Sequence, residues 1–168
     1  MKRICTFMLS ALALPLSLSA QTTTPPTGYK MVWSDEFNGT SLDTKVWNIE
    51  ENGNGGGNQE LQYYRKENVA VANGNLVLTA RRENYNNKQF TSGRINSLDK
   101  AYFKHGIIQA RIKFPKTANG VWPAYWMMGN DYGKLGWPRC GEIDIVETGN
   151  AEGIKNGTQT RHFGATLH

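Results

Sequence analysis

From Tyr29 onward the apolar positions fall into short runs that alternate with polar residues, and no helical period persists over a useful length. The pattern predicts strands over Tyr29–Ser34, Leu61–Tyr64, Val69–Ala72, Asn75–Arg81, Thr91–Ser97, Gly106–Phe114, Ala124–Met128, Gly141–Glu147 and Thr160–Leu167. Gly and Asn clusters such as Asn73-Gly74-Asn75 and Asn84-Tyr85-Asn86-Asn87 separate them. Many short strands divided by turn signals predict an all-β sandwich or jelly roll, whose curved sheet offers a concave face to a polymer. No internal repeat is present.

The sharpest pattern is Gly141-Glu142-Ile143-Asp144-Ile145-Val146-Glu147. Successive strand side chains point to opposite faces, so Glu142 and Asp144 share one face and Ile143 and Ile145 the other. Strict alternation then turns Glu147 away. One extra residue, a β-bulge, returns Glu147 to the acidic face and leaves the aliphatic side chains for the core. Bulges of this kind re-aim side chains beside active sites.

Crowding three carboxylates on one face raises at least one pKa, which suits an acid that must hold its proton near neutral pH. Glycoside hydrolysis uses such a pair, one ionised carboxylate as nucleophile and one protonated acid on the leaving oxygen. With the bulge absorbed, Glu142 and Glu147 stand four ladder steps apart, roughly 13 Å between Cα atoms. Inward-leaning side chains shorten that towards the ~5–5.5 Å of a retaining glycosidase. The plain alternative is an exposed strand face that merely carries charge.

Glu-Ile-Asp-Ile-Val-Glu after Trp137-Pro138-Arg139-Cys140-Gly141 resembles the bulged catalytic signature of glycoside hydrolase family 16, in its laminarinase-like (endo-β-1,3-glucanase) branch. The resemblance runs from about Tyr29 to the end. It implies Glu142 as nucleophile, Asp144 as its assistant and Glu147 as acid/base, in a secreted retaining endo-glycosidase acting on β-1,3-glucan such as laminarin. Relatives acting on mixed-linkage glucan, agar or carrageenan are the nearest alternatives, and a non-catalytic glucan-binding protein is the alternative of another class. The family's catalytic domain is longer, so the chain reads as the front part of a domain incomplete at its C-terminus.

The opening residues change the picture of the product. Lys2 and Arg3, an apolar run from Ile4 to about Leu18 and then Ser19-Ala20 read as a secretory signal peptide over residues 1–20. A polar Thr/Pro linker follows over residues 21–28, and the catalytic domain occupies residues 29–168. Removing Lys2 and Arg3 from 19 basic residues leaves 17 against 14 acidic, a net charge of +3. The basic residues are scattered, which argues against a nucleic-acid partner, and no segment is long enough to span a membrane. The expected product is a secreted, extracellular or periplasmic monomer whose partner is a polysaccharide. Cys5 leaves with the signal, so Cys140 has no partner within the mature chain and the fold must rest on its hydrophobic core. Cys140 itself suits a small buried hydrophobe.

Further candidates come from the remaining motifs. Trp122 and Trp126 in Val121-Trp122-Pro123-Ala124-Tyr125-Trp126 are spaced to share a strand face, and flat indoles suit either a pyranose or the core. The resemblance places Trp126 in the cleft beside the nucleophile. It also implies that Asn58, in the Gly-rich stretch Asn52–Glu60, and Arg94 in Thr91-Ser92-Gly93-Arg94-Ile95 bind sugar hydroxyls. His168 matches a family His on a strand next to the catalytic one. Alone, Asn58 reads as a turn residue, Arg94 as a surface ion-pair partner and His168 as structural. The three histidines show no metal-ligand spacing, and the chemistry needs no metal. Asp35-Glu36-Phe37-Asn38-Gly39 resembles a family segment near a structural calcium site; a capped turn explains it equally well.

Overall fold

The computed structural model describes residues 24–118 and 120–168, so the expected signal peptide and part of the linker lie outside the described residues. The elements are β1 Asn48–Ile49, β2 Gln62–Tyr64, β3 Val69–Ala72, β4 Asn75–Leu78, β5 Phe90–Ser92, β6 Ile95–Asn96, β7 Ala124–Met128, α1 Tyr132–Leu135, β8 Glu142–Glu147, α2 Ala151–Lys155 and β9 Gly164–Leu167. The class is all-β, of the sandwich and jelly-roll kind. Both helices are single turns between strands. The chain divides into two units, one of Met1–Leu42 with Glu51–Arg94 and one of Asp43–Glu50 with Ile95–His168.

In the first unit β3 and β4 form a hairpin pairing Val69 with Leu78 and Ala72 with Asn75. Its turn is Asn73-Gly74, with φ of 52° and 69°, the left-handed pair that a two-residue hairpin turn requires. β2 runs parallel to β5, with Tyr63 opposite Thr91. Between these pairs Asn68 is fully buried and donates from Nδ2 to the Thr79 carbonyl at 2.7 Å and to Thr91 Oγ1 at 3.0 Å. Gly93 lies so close to this plug that a Cβ there would come within 2.5 Å of the Asn68 carbonyl oxygen.

In the second unit β1 pairs with β6, and β7, β8 and β9 form an antiparallel sheet with β8 in the middle. Two expectations fail here and in the first unit. Gly106–Phe114 and Tyr29–Ser34 belong to none of the ladders among the described residues, because alternation marks side chains whereas a strand also needs a neighbour. The expected strand Thr91–Ser97 is split between β5 and β6.

The expected aliphatic core is also corrected. Among the described residues Val71 is the only buried hydrophobe, while the fully buried side chains are Asn68 and Thr91. Ile143 is 45% exposed and its partner Leu167 77% exposed, because the aliphatic side of the sheet carries little cover.

Candidate active site

β8 forms where expected because its Ile and Val residues suit a pleated ladder, and Gly141, at φ 80°, leads into it. Its register shows the bulge. Against β7, Glu142 pairs with Met128 and Asp144 with Trp126, whereas Val146 pairs with Tyr125 and Glu147 with Ala124. Ile145 has no opposite number. Against β9 the same shift appears, with Asp144 opposite Thr166 and Glu147 opposite Gly164. Two residues of β9 therefore span three of β8. Glu142, Asp144 and Glu147 share one face with Met128, Trp126 and Ala124 on one side and with His168, Thr166 and Gly164 on the other. Gly164 leaves room beside Glu147, where an added Cβ would sit 4.0 Å from the Glu147 Cβ.

Asp144 is the buried member, 5% exposed, and Glu142 and Glu147 flank it half-buried. His168 joins them from the end of β9. Its amide donates to the Glu142 carbonyl at 3.0 Å, and its Nε2 lies 3.2 Å from Asp144 Oδ2. The Trp137 ring packs against the His168 ring at 5.7 Å between centroids.

Electrostatics follow from this packing. Burial raises the Glu142 carboxyl, the Asp144 charge and a hydrogen bond with Asp144 raise it further, and a hydrogen bond from Trp137 and the nearby His168 pull it back. Burial also raises Glu147, the Asp144 charge adds to it, and a hydrogen bond from Trp122 opposes it. A hydrogen bond between two carboxyl groups requires a proton on one of them. The two outer carboxyls are thus easier to protonate than isolated ones.

Of the residues expected from sequence, Glu142, Asp144, Glu147, Trp126 and His168 meet on this sheet. Trp122 stands just before β7, half exposed, bonded to Glu147 and lining a cavity of about 390 Å³ with Glu147, Thr148, Asn150 and Gly164. Asn58 and Arg94 belong to the first unit. Asn58 is exposed, and the Arg94 guanidinium sits 5.5 Å from the centre of the Tyr64 ring. Trp137 went unassigned from sequence, although it opens the Trp-Pro-Arg-Cys-Gly stretch that precedes the strand. Cys140 is half-buried, its Sγ 3.4 Å from Met128 Sδ.

His168 joins Glu142 and Asp144 in a group whose ligand atoms lie within 4.8 Å of one another, a convergence that linear spacing hides. Asp35 Oδ1 accepts from the Phe37 amide at 2.9 Å, as in a capped turn.

An all-β chain whose bulged central strand presents three carboxyl groups on one face defines a narrow class of protein. The chain belongs to glycoside hydrolase family 16: the matching family model, described as β-glucan synthesis-associated protein SKN1/KRE6/Sbg1, covers residues 9–142. It is 39% identical over 153 residues to a β-glucanase of Rhodothermus marinus, covering 88% of this chain and 53% of that protein. Among solved structures it is similar to the laminarinase catalytic domain of Thermotoga maritima, with TM-score 0.73 and 42% identity over 83% of this chain and 57% of the other. It is also similar to a mixed-linkage-glucan family 16 protein of Bacteroides ovatus bound to its product, with TM-score 0.73 and 43% identity over 82% and 57% of the two chains. The chain spans about half the length of these relatives.

Proposed function

We propose that the chain carries the catalytic strand of a secreted retaining endo-glycosidase that hydrolyses β-1,3-glucan. The observation that carries this reading is the bulge, which keeps Glu142, Asp144 and Glu147 on one face while burial raises the Glu147 carboxyl that acts as the acid. Glu147, held protonated, donates to the leaving oxygen as Glu142 attacks the anomeric carbon. Glu147 then takes a proton from the water that releases the sugar. Trp137 and His168 favour the anionic Glu142 that attack requires. Asp144, hydrogen-bonded to Glu142, fixes its direction.

The names of the relatives support a glucan as substrate, with β-1,3 linkage first because laminarinases and endo-1,3-β-glucosidases recur among them. A mixed-linkage glucan is the second reading, favoured by the likeness to the Bacteroides ovatus protein. The basic, apolar start of the sequence supports export. No helix among the described residues is long and apolar enough to cross a membrane. A monomer acting on polysaccharide accords with the scattered charge.

The test is reducing-sugar release from laminarin, lichenan, agarose and carrageenan, run beside Glu142→Gln. Release from laminarin that disappears in the variant supports both substrate and nucleophile. Release from a galactan alone keeps the mechanism and overturns the substrate. No release from any of them overturns hydrolysis by this chain.

A further inference from the structure

Trp122 is held by its backbone rather than by its ring. The ring is 50% exposed at the rim of the cavity that reaches Glu147, yet its indole N–H donates to that carboxyl group. A half-exposed side chain exchanges among rotamers unless the backbone on either side of it is fixed.

The residues that follow β8 supply the fixing. The Thr148 amide donates to the Pro123 carbonyl at 3.0 Å, which carries the β7–β8 ladder one step past the pair of Glu147 with Ala124. Thr148 is itself buried. Gly149 then turns at φ 91°, and its bare Cα lies against the residues just before β7. A Cβ there would overlap the Val121 carbonyl oxygen and come within 3.4 Å of the Trp122 Cα. Only glycine suits both the conformation and the space. Asn150 anchors the far end, because its Oδ1 accepts from the Gly153 amide at 3.0 Å and caps α2. Trp122 is thus gripped on both sides, by Gly149 at Val121 and by Thr148 at Pro123.

The charges that face Glu147 are Asp144 and Glu142 along β8 and His168 at the end of β9. β7 adds none, since its Tyr125 stands opposite Val146, and the stretch from Gly120 to Pro123 holds no ionisable side chain. Burial and the two acids raise the Glu147 carboxyl, while the Trp122 bond and His168 oppose them. A donated N–H favours the carboxylate over the protonated acid. Glu147 has to be each in turn, acid as the leaving oxygen departs and base as water arrives.

We propose that Gly149, with Thr148, is a positioning residue that clamps the Trp122 backbone and so aims the indole N–H at Glu147. This rests on the hydrolytic reading above. The clamp gives Trp122 a role that needs no contact with sugar. When the indole leaves, Glu147 holds its proton more tightly, and the step that needs its carboxylate slows.

The test uses the full chain with laminarin and three variants, Trp122→Phe, Gly149→Ala and the two combined. Trp122→Phe keeps an aromatic ring and removes the N–H. We expect kcat to fall about tenfold with KM within about threefold of wild type. The alkaline limb of kcat/KM, which reports the acid of the free enzyme, should move to higher pH. Gly149→Ala should move that limb the same way. The combined variant should move it no further than Trp122→Phe alone, because one bond is broken once.

An unmoved limb in Trp122→Phe, a rise in KM with kcat unchanged, or fully additive shifts would overturn the proposal. If Gly149→Ala lacks the wild-type circular dichroism spectrum, amide hydrogen exchange in the wild-type chain decides. A Thr148 amide protected as strongly as those of β8 supports the clamp, and one that exchanges as a free loop amide does overturns it. A chain that releases no sugar sinks the hydrolytic reading, and the carboxyl 13C titration of Glu147 then carries the test. A titration that moves up in Trp122→Phe supports the positioning, and one that stays in place overturns it.

Discussion

The two faces of β8 differ in a direction opposite to ordinary expectation. On one face Asp144 is 5% exposed among half-buried acids, while on the other Ile143 is 45% exposed beside a Leu167 that is 77% exposed. The charged face is the enclosed one. Partial burial costs Glu142 and Glu147 hydration and so raises both carboxyls, whereas an aliphatic side chain in water contributes little to stability. This strand is therefore organised more around its acids than around the fold.

The largest effect should come from breaking the charged face. Glu142→Gln and Glu147→Gln are each expected to lower kcat for laminarin by a factor of ~10³ or more, read from initial rates, with the far-UV spectrum unchanged. A tenfold effect or less would mean that the face does not do the chemistry.

Asp144→Asn sharpens the same face with a smaller effect, about 10–100-fold in kcat, the scale of one lost charge-assisted hydrogen bond. Because the Asp144 charge raises both Glu142 and Glu147, its removal should shift both limbs of the pH–rate profile to lower pH. The same charge leaves a mark on stability. Glu142 and Glu147 are raised in the folded chain, so their contribution is full below the ordinary carboxylate range and is lost as pH climbs through the raised values. Urea midpoints measured across that range should fall less steeply in Asp144→Asn than in wild type. Equal slopes would show that burial alone sets the two carboxyls.

Much of this face was legible in the sequence because its determinants are local. Alternation placed β3 and β7 to the residue, and the mismatch at Val146 required the bulge that the register displays. What escaped depends on distant partners. Trp137 reaches Glu142 only because the chain turns back before β8. The parallel match of β2 with β5 leaves no local periodicity to read. Nor did any pattern announce that Asn68 and Thr91, rather than aliphatic residues, fill the tightest interior of the first unit.

That polar interior gives the next test of the comparison. Asn68→Ala removes two hydrogen bonds and strands the Thr79 carbonyl, while the Thr91 hydroxyl keeps its bond to Glu83, so unfolding free energy from urea denaturation should fall by about 2–3 kcal/mol. A loss under ~0.5 kcal/mol would mean that the buried polar plug does not hold the unit together.

The smallest effect belongs to the aliphatic face. Ile143→Thr keeps a β-branched side chain on the pleat, so strand propensity barely changes. It gives up apolar surface that is already half in water, which bounds the cost below ~1 kcal/mol. Turnover should stay within about twofold, because residue 143 points away from the acids. Self-association should fall, since Ile143 and Leu167 lie side by side and exposed apolar neighbours are sites of non-specific contact. Light scattering against concentration, set beside urea midpoints, separates the two effects. A loss of several kcal/mol would show that this face is covered in solution, and the contrast between the two sides of β8 would then disappear.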